Sequence, residues 1–113
     1  MVEPPDSSDP NPRIQIVHSE RGDRVALIGQ IDLANARETE SALIDAASDG
    51  GPLTLDLLGL TYLDSQGVAM LLRLAERARL NGGSLTLANP RGMVLRVLQL
   101  THMGEAAAII VES

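Results

Sequence analysis

Residues 64–67 read Asp64-Ser65-Gln66-Gly67, a carboxylate followed directly by a hydroxyl where a loop runs into a predicted helix. The first turn of a helix carries unpaired backbone N–H groups and a partial positive charge, so it holds anions well. A phosphate esterified to the Ser65 hydroxyl would sit there favourably. The same side chains suit plain N-capping equally, in which an oxygen of Asp64 or Ser65 accepts a first-turn N–H and does no chemistry. Gly67 lets the backbone approach closely at this turn. His18 and His102 lie far apart in the sequence without companion ligands, so neither a metal site nor another cofactor is expected.

The elements around this tetrapeptide follow from hydropathy. Residues 53–57, Leu-Thr-Leu-Asp-Leu, form a short apolar run that fits a strand buried on both faces. A loop follows. Beyond it Val68, Leu71, Leu72, Ala75 and Ala78 recur at three- and four-residue steps, which makes one face of a helix over 65–80. A rotation of about 100° per residue puts Gln66, Met70, Arg73 and Arg77 together on the opposite side. A methionine among polar residues beside the hydroxyl suits a partner contact, and an ordinary solvated face fits as well.

The chain has 113 residues, enough for one domain whose core needs no metal or disulfide. One Tyr and no Phe or Trp stand among 44% hydrophobic residues, so the core must be aliphatic. Stacking on nucleobases is therefore unavailable, and a formal charge of −6 has the wrong sign for a phosphate-backbone binder. Direct nucleic-acid binding is not expected; a partner with a basic face is. Four of the six prolines fall in residues 1–12, which read as a disordered tail before a domain over 13–113. The tail has neither the charged start nor the apolar run of a secretory signal, and no stretch approaches the ~18 apolar residues of a membrane span. With no cysteine the chain is compatible with a reducing cytoplasm, the expected location.

Taken in order, residues 13–17 and 24–28 alternate around a Glu20-Arg21-Gly22-Asp23 turn and predict a hairpin. Gly29 ends its second strand, and Gln30-Ile31-Asp32 leads into a helix beginning near residues 33–35. Asn35 with Glu38 has capping-box spacing, with Asp32 as the alternative cap. Residues 49–52 end that helix, and Asn81-Gly82-Gly83 ends the next. Residues 84–88 predict a strand. Asn89-Pro90 predicts a cap and first helical position ahead of a helix over 91–100. Residues 107–111 fit either an edge strand or a helix extension. Strands separated by helices normally pair in parallel, so the fold class is α/β, with a mostly parallel four- to five-stranded sheet, an N-terminal hairpin and helices packed against it. Asp32 and Asp64-Ser65 follow successive strands of that sheet, so both reach one rim.

Leu55-Asp56-Leu57, Tyr62-Leu63-Asp64-Ser65-Gln66-Gly67 and Leu71-Leu72 resemble the signature of STAS domains, in particular the small bacterial anti-sigma factor antagonists. Gly29-Gln30-Ile31-Asp32, Gly82-Gly83, Asn89-Pro90 and Leu98-Gln99-Leu100-Thr101 match in the same order, so the likeness runs over nearly the whole chain from Arg13. The resemblance implies a STAS-like fold and a non-enzymatic regulator. In it, Ser65 is phosphorylated by a partner serine kinase that doubles as an anti-sigma factor. The unmodified form binds that kinase and frees the sigma factor, and a PP2C-type phosphatase restores it. Asp32, Asp64, Gln66, Gly67, Met70 and Arg73 are the partner-binding residues expected around it, with Asp64 either orienting the Ser65 hydroxyl or tightening the loop.

Gln66, Val68-Ala69 and His102 depart from residues common in the family. They bear on which kinase is recognised more than on the fold. No Gly-x-x-x-x-Gly-Lys-Ser/Thr phosphate loop or Gly-x-Ser-x-Gly elbow is present to support an enzyme. The rival within the family is a STAS scaffold subunit of a lipid-transport or stress-signalling assembly.

Overall fold

The computed structural model describes residues 14–19, 24–46, 52–105 and 109–112. The predicted tail over 1–12 and the hairpin turn at 20–23 lie outside the described residues. β2 (Arg24–Ile31) is the longest strand and organises the sheet. β1 (Ile14–His18) pairs with it antiparallel, from Ile14 opposite Gly29 to His18 opposite Val25, as the predicted hairpin requires.

On its other side β2 pairs in parallel with two successive strands. β3 (Leu53–Asp56) lies along its first half and β4 (Leu60–Leu63) along its second. The register shifts between Gly29 and Gln30, where Gly29 takes φ 121°, a backbone conformation that side chains with a Cβ rarely adopt. There the Gly29 N–H donates to the Gly59 carbonyl at 3.0 Å.

β4 falls where the sequence predicts a loop. Its burial runs buried, exposed, exposed, buried, without the alternation that marks a half-buried strand, so only pairing with β2 reveals it. β5 (Leu85–Ala88) pairs in parallel with β3, and β6 (Ile109–Glu112) with β5. Of the stretch left open at 107–111, the described part from Ile109 onward is an edge strand, and the described residues form a six-stranded sheet, one more than expected, in the order β1-β2-β3-β5-β6 with β4 on β2.

Three helices complete the described fold: α1 (Ala36–Ala46), α2 (Ser65–Leu80) and α3 (Gly92–Leu100), the last followed by a 3-10 turn at Met103–Glu105. Two capping expectations change. Asn35 turns its Oδ1 back to the Asp32 N–H at 3.0 Å and its Nδ2 to the Gln30 carbonyl at 2.8 Å, closing the loop ahead of α1. Asn89 sits at φ 58° and donates to Asp56, so α3 starts from Arg91 without a side-chain cap. Asn89 thus joins the ends of β3 and β5 instead of starting a helix.

The core is aliphatic, with Leu27, Ile31, Leu43, Leu55, Leu57, Leu63, Met70, Leu71, Leu85, Leu87 and Met103 essentially sealed from solvent. The apolar face of α2 is rolled from the one predicted. Gly67, Met70, Leu71, Leu74, Ala75 and Ala78 point inward and Leu72 is exposed. Met70 is 0% exposed, so the expectation that it meets a partner is corrected. The reason lies at Gly67, where a Cβ would overlap the Leu63 side chain. Helix and β4 touch at the one position without a side chain, and that contact carries Met70 into the core.

Candidate functional site

Parallel register builds the site. Ile31 at the end of β2 pairs with Leu63 at the end of β4, so the residues that follow them, Asp32 and Asp64, leave the sheet side by side at one rim. Asp64 is the N-cap of α2, with extended backbone and Oδ1 accepting from the Gln66 N–H at 2.9 Å and the Gly67 N–H at 3.2 Å. These satisfy two first-turn amides and place the carboxylate at the positive end of the helix. Its other oxygen, Oδ2, accepts from the Leu33 N–H at 3.2 Å in the neighbouring loop, and the Asp64 N–H donates back to the Ile31 carbonyl at 3.3 Å.

Ser65 is the first residue of α2 and is exposed. Among the described residues no hydrogen bond links either Asp64 oxygen to the Ser65 hydroxyl. Asp64 therefore serves as cap and loop tie. Asp32 is half-buried in a loop closed on itself, where its Oδ1 accepts from the Ala34 N–H at 2.9 Å and its carbonyl receives the Asn35 and Ala36 N–H groups. Of the other expected site residues, Gln66 is exposed beside Ser65 and Gly67 is buried against Leu63. Arg73 makes a two-pronged ion pair with Glu40 of α1, with contacts of 2.7, 3.0 and 3.1 Å, which hold the guanidinium above its ordinary pKa. The pair joins α1 to α2, a role the sequence did not reveal, because helix partners 33 residues apart leave no local signal.

Two surface depressions flank the start of α2. One, about 570 Å³, is lined by Leu33, Arg37, Glu38, Glu40, Gln66 and Arg73. The other, about 360 Å³, lies between α2 and the end of α3 and is lined by Leu63, Ser65, Val68, Val97, Leu100 and Thr101. Leu33 on one side is 76% exposed and Leu100 on the other 68%. Neither depression is legible in the sequence, where the signal is no more than an apolar residue directly after Asp32 and another closing α3.

Away from the rim, Asp56 binds the end of β3 to β5 and β2. Burial raises its carboxyl, but the Leu58 N–H at 3.0 Å, Asn89 at 3.3 Å and Arg24 at 3.4 Å outweigh that and hold it below the ordinary carboxylate range. Among the described residues there is no cluster of three or more His, Asp or Glu side chains suited to a metal ion, and no helix long and apolar enough to cross a membrane.

Comparison with known proteins agrees with this geometry. The anti-sigma-B factor antagonist of Bacillus subtilis (strain 168) is 25% identical over 103 residues, covering 91% of this chain and 94% of its own. An anti-sigma factor antagonist structure from Mycobacterium paratuberculosis superimposes with a TM-score of 0.72 at 24% identity, over 86% of this chain and 85% of that one. The Bacillus cell fate determinant SpoIIAA in its phosphorylated form gives 0.63 at 18% identity, over 88% and 91%. The family described as "Mlab, STAS domain" matches residues 14–112, and with the hairpin, the parallel sheet and the Asp64-Ser65 helix start in place, the chain belongs to the STAS domain family.

Proposed function

We propose that this protein is an anti-sigma factor antagonist switched by phosphorylation of Ser65. The observation that carries the reading is an exposed serine on the first residue of α2, which shares a surface depression with the exposed Leu100 and follows the residue, Asp64, that holds the exposed Leu33. The unmodified rim offers Leu33, Leu100 and Gln66 to an anti-sigma factor that is also a serine kinase, and binding frees the sigma factor. The kinase transfers the γ-phosphoryl of ATP to Ser65 Oγ, the hydroxyl proton passes to the kinase and ADP leaves. The product carries about −1.5 to −2 charges beside Asp64 and Asp32. Desolvating that group in an interface beside carboxylates costs ~3 kcal/mol or more, roughly a hundredfold in affinity. A PP2C-type phosphatase resets the switch, and the chain itself acts by binding rather than by turnover.

The names of the relatives support this reading, since they are antagonists of anti-sigma factors and one was solved in a phosphorylated form. The test pairs two variants with the anti-sigma factor kinases of the source organism. Ser65→Ala is expected to bind as wild type and to accept no label from ATP. Ser65→Asp is expected to keep the fold and lose about a hundredfold in affinity. Equal binding by wild type, phosphorylated protein and Ser65→Asp would sink the switch and leave the scaffold role, in which the rim docks constitutively within a larger assembly.

A further inference from the structure

We infer that Asp64 is a positioning residue that sets the distance between the Leu33 loop and Ser65, and that it takes no part in proton transfer during phosphorylation. The inference rests on the kinase reading above for its kinetic consequence, but its structural part stands without any partner.

Both Asp64 oxygens are committed to backbone donors. Oδ1 takes Gln66 N–H and Gly67 N–H, and Oδ2 takes Leu33 N–H from an element 31 residues away. The Asp64 N–H reaches the other way to the Ile31 carbonyl, so a single residue is fastened both to the last residue of β2 and to the connection that leaves it for α1. A helix cap needs only the first set of bonds. The bond to Leu33 is additional, and its effect is to hold a loop that carries a 76% exposed leucine at a fixed place beside Ser65.

That loop is already rigid within itself through Asp32, Ala34 and Asn35, so Asp64 positions it as a body. Both carboxylate oxygens are taken up by backbone N–H groups and neither is bonded to the Ser65 hydroxyl, so Asp64 is not placed to receive its proton. The general base for Ser65 must then come from the kinase. What Asp64 supplies is a preformed docking surface, whose loss weakens binding without touching the chemical step.

Asp64→Asn isolates the tie. The amide keeps one oxygen for the Gln66 and Gly67 N–H groups but turns an NH2 toward the Leu33 N–H, donor against donor. Asp64→Ser is the second variant, since serine caps as well as aspartate and is too short to reach Leu33 as well. Amide hydrogen exchange is expected to speed up at Leu33 by about tenfold or more in both, with Gln66 and Gly67 as slow as in wild type. With the kinase and ATP, KM for the protein substrate should rise about tenfold while kcat stays within about twofold and keeps its pH profile.

Unchanged exchange at Leu33 overturns the tie. A fall in kcat of about a hundredfold with a displaced pH profile would instead make Asp64 a proton acceptor. If wild type is never phosphorylated, the switch reading fails on its own, and the exchange result still decides the positioning.

Discussion

At Gly67 the backbone of α2 meets the side chain of Leu63 so closely that even a methyl group has no room. Gly67→Ala should therefore cost about 1–3 kcal/mol, the usual penalty of overpacking a tight contact, read as a lowered midpoint in chemical denaturation. A glycine inside a helix normally gains from replacement by alanine, so the direction of the change separates this contact from simple helix propensity. The same residue scale separates the neighbours in the motif. Asp64 is spent on backbone, Gly67 on packing, and Ser65 alone presents an exposed reactive oxygen.

Among the elements, α1 and α2 form the clamp that carries the rim, joined by the Arg73–Glu40 pair on the surface and by packing beneath it. Within α1, Thr39 is 1% exposed and its hydroxyl has no hydrogen-bond partner. A buried hydroxyl left unpaired is a net cost, and valine has the same shape without it. Thr39→Val should stabilise the fold by ~1 kcal/mol in thermal or denaturant unfolding, with no change in partner affinity. A destabilised variant would show that the hydroxyl is bonded after all.

For the whole molecule, part of the acid dependence of stability originates at the sheet's strand ends. The Asp56 carboxyl lies below its unfolded value in the folded protein, so the unfolded chain binds the proton more readily. Its contribution is fully present above about pH 4 and is lost as pH falls through the lower folded-state value. Glu76, lowered by its hydrogen bond from Arg79, acts in the same direction on an exposed, screened surface. Asp56→Asn should flatten the acid limb of a stability-against-pH curve and leave the neutral-to-alkaline limb parallel to wild type. An unchanged acid limb would place the titrating groups elsewhere.

What the sequence determined alone was whatever depends on neighbours along the chain. The extent of α2, a cap at Asp64 or Ser65, the hairpin and the position of Ser65 at a helix start all follow from short-range spacing and first-turn hydrogen bonding. Only the tertiary structure decided which way α2 is rolled, and with it that Met70 is core; that β4 exists; that Asn89 joins Asp56; and that Ser65 shares a depression with Leu100 while Asp64 holds Leu33. Each of these depends on a register or a contact between residues distant in sequence, and hydropathy within one segment carries no information about the partner that will cover it.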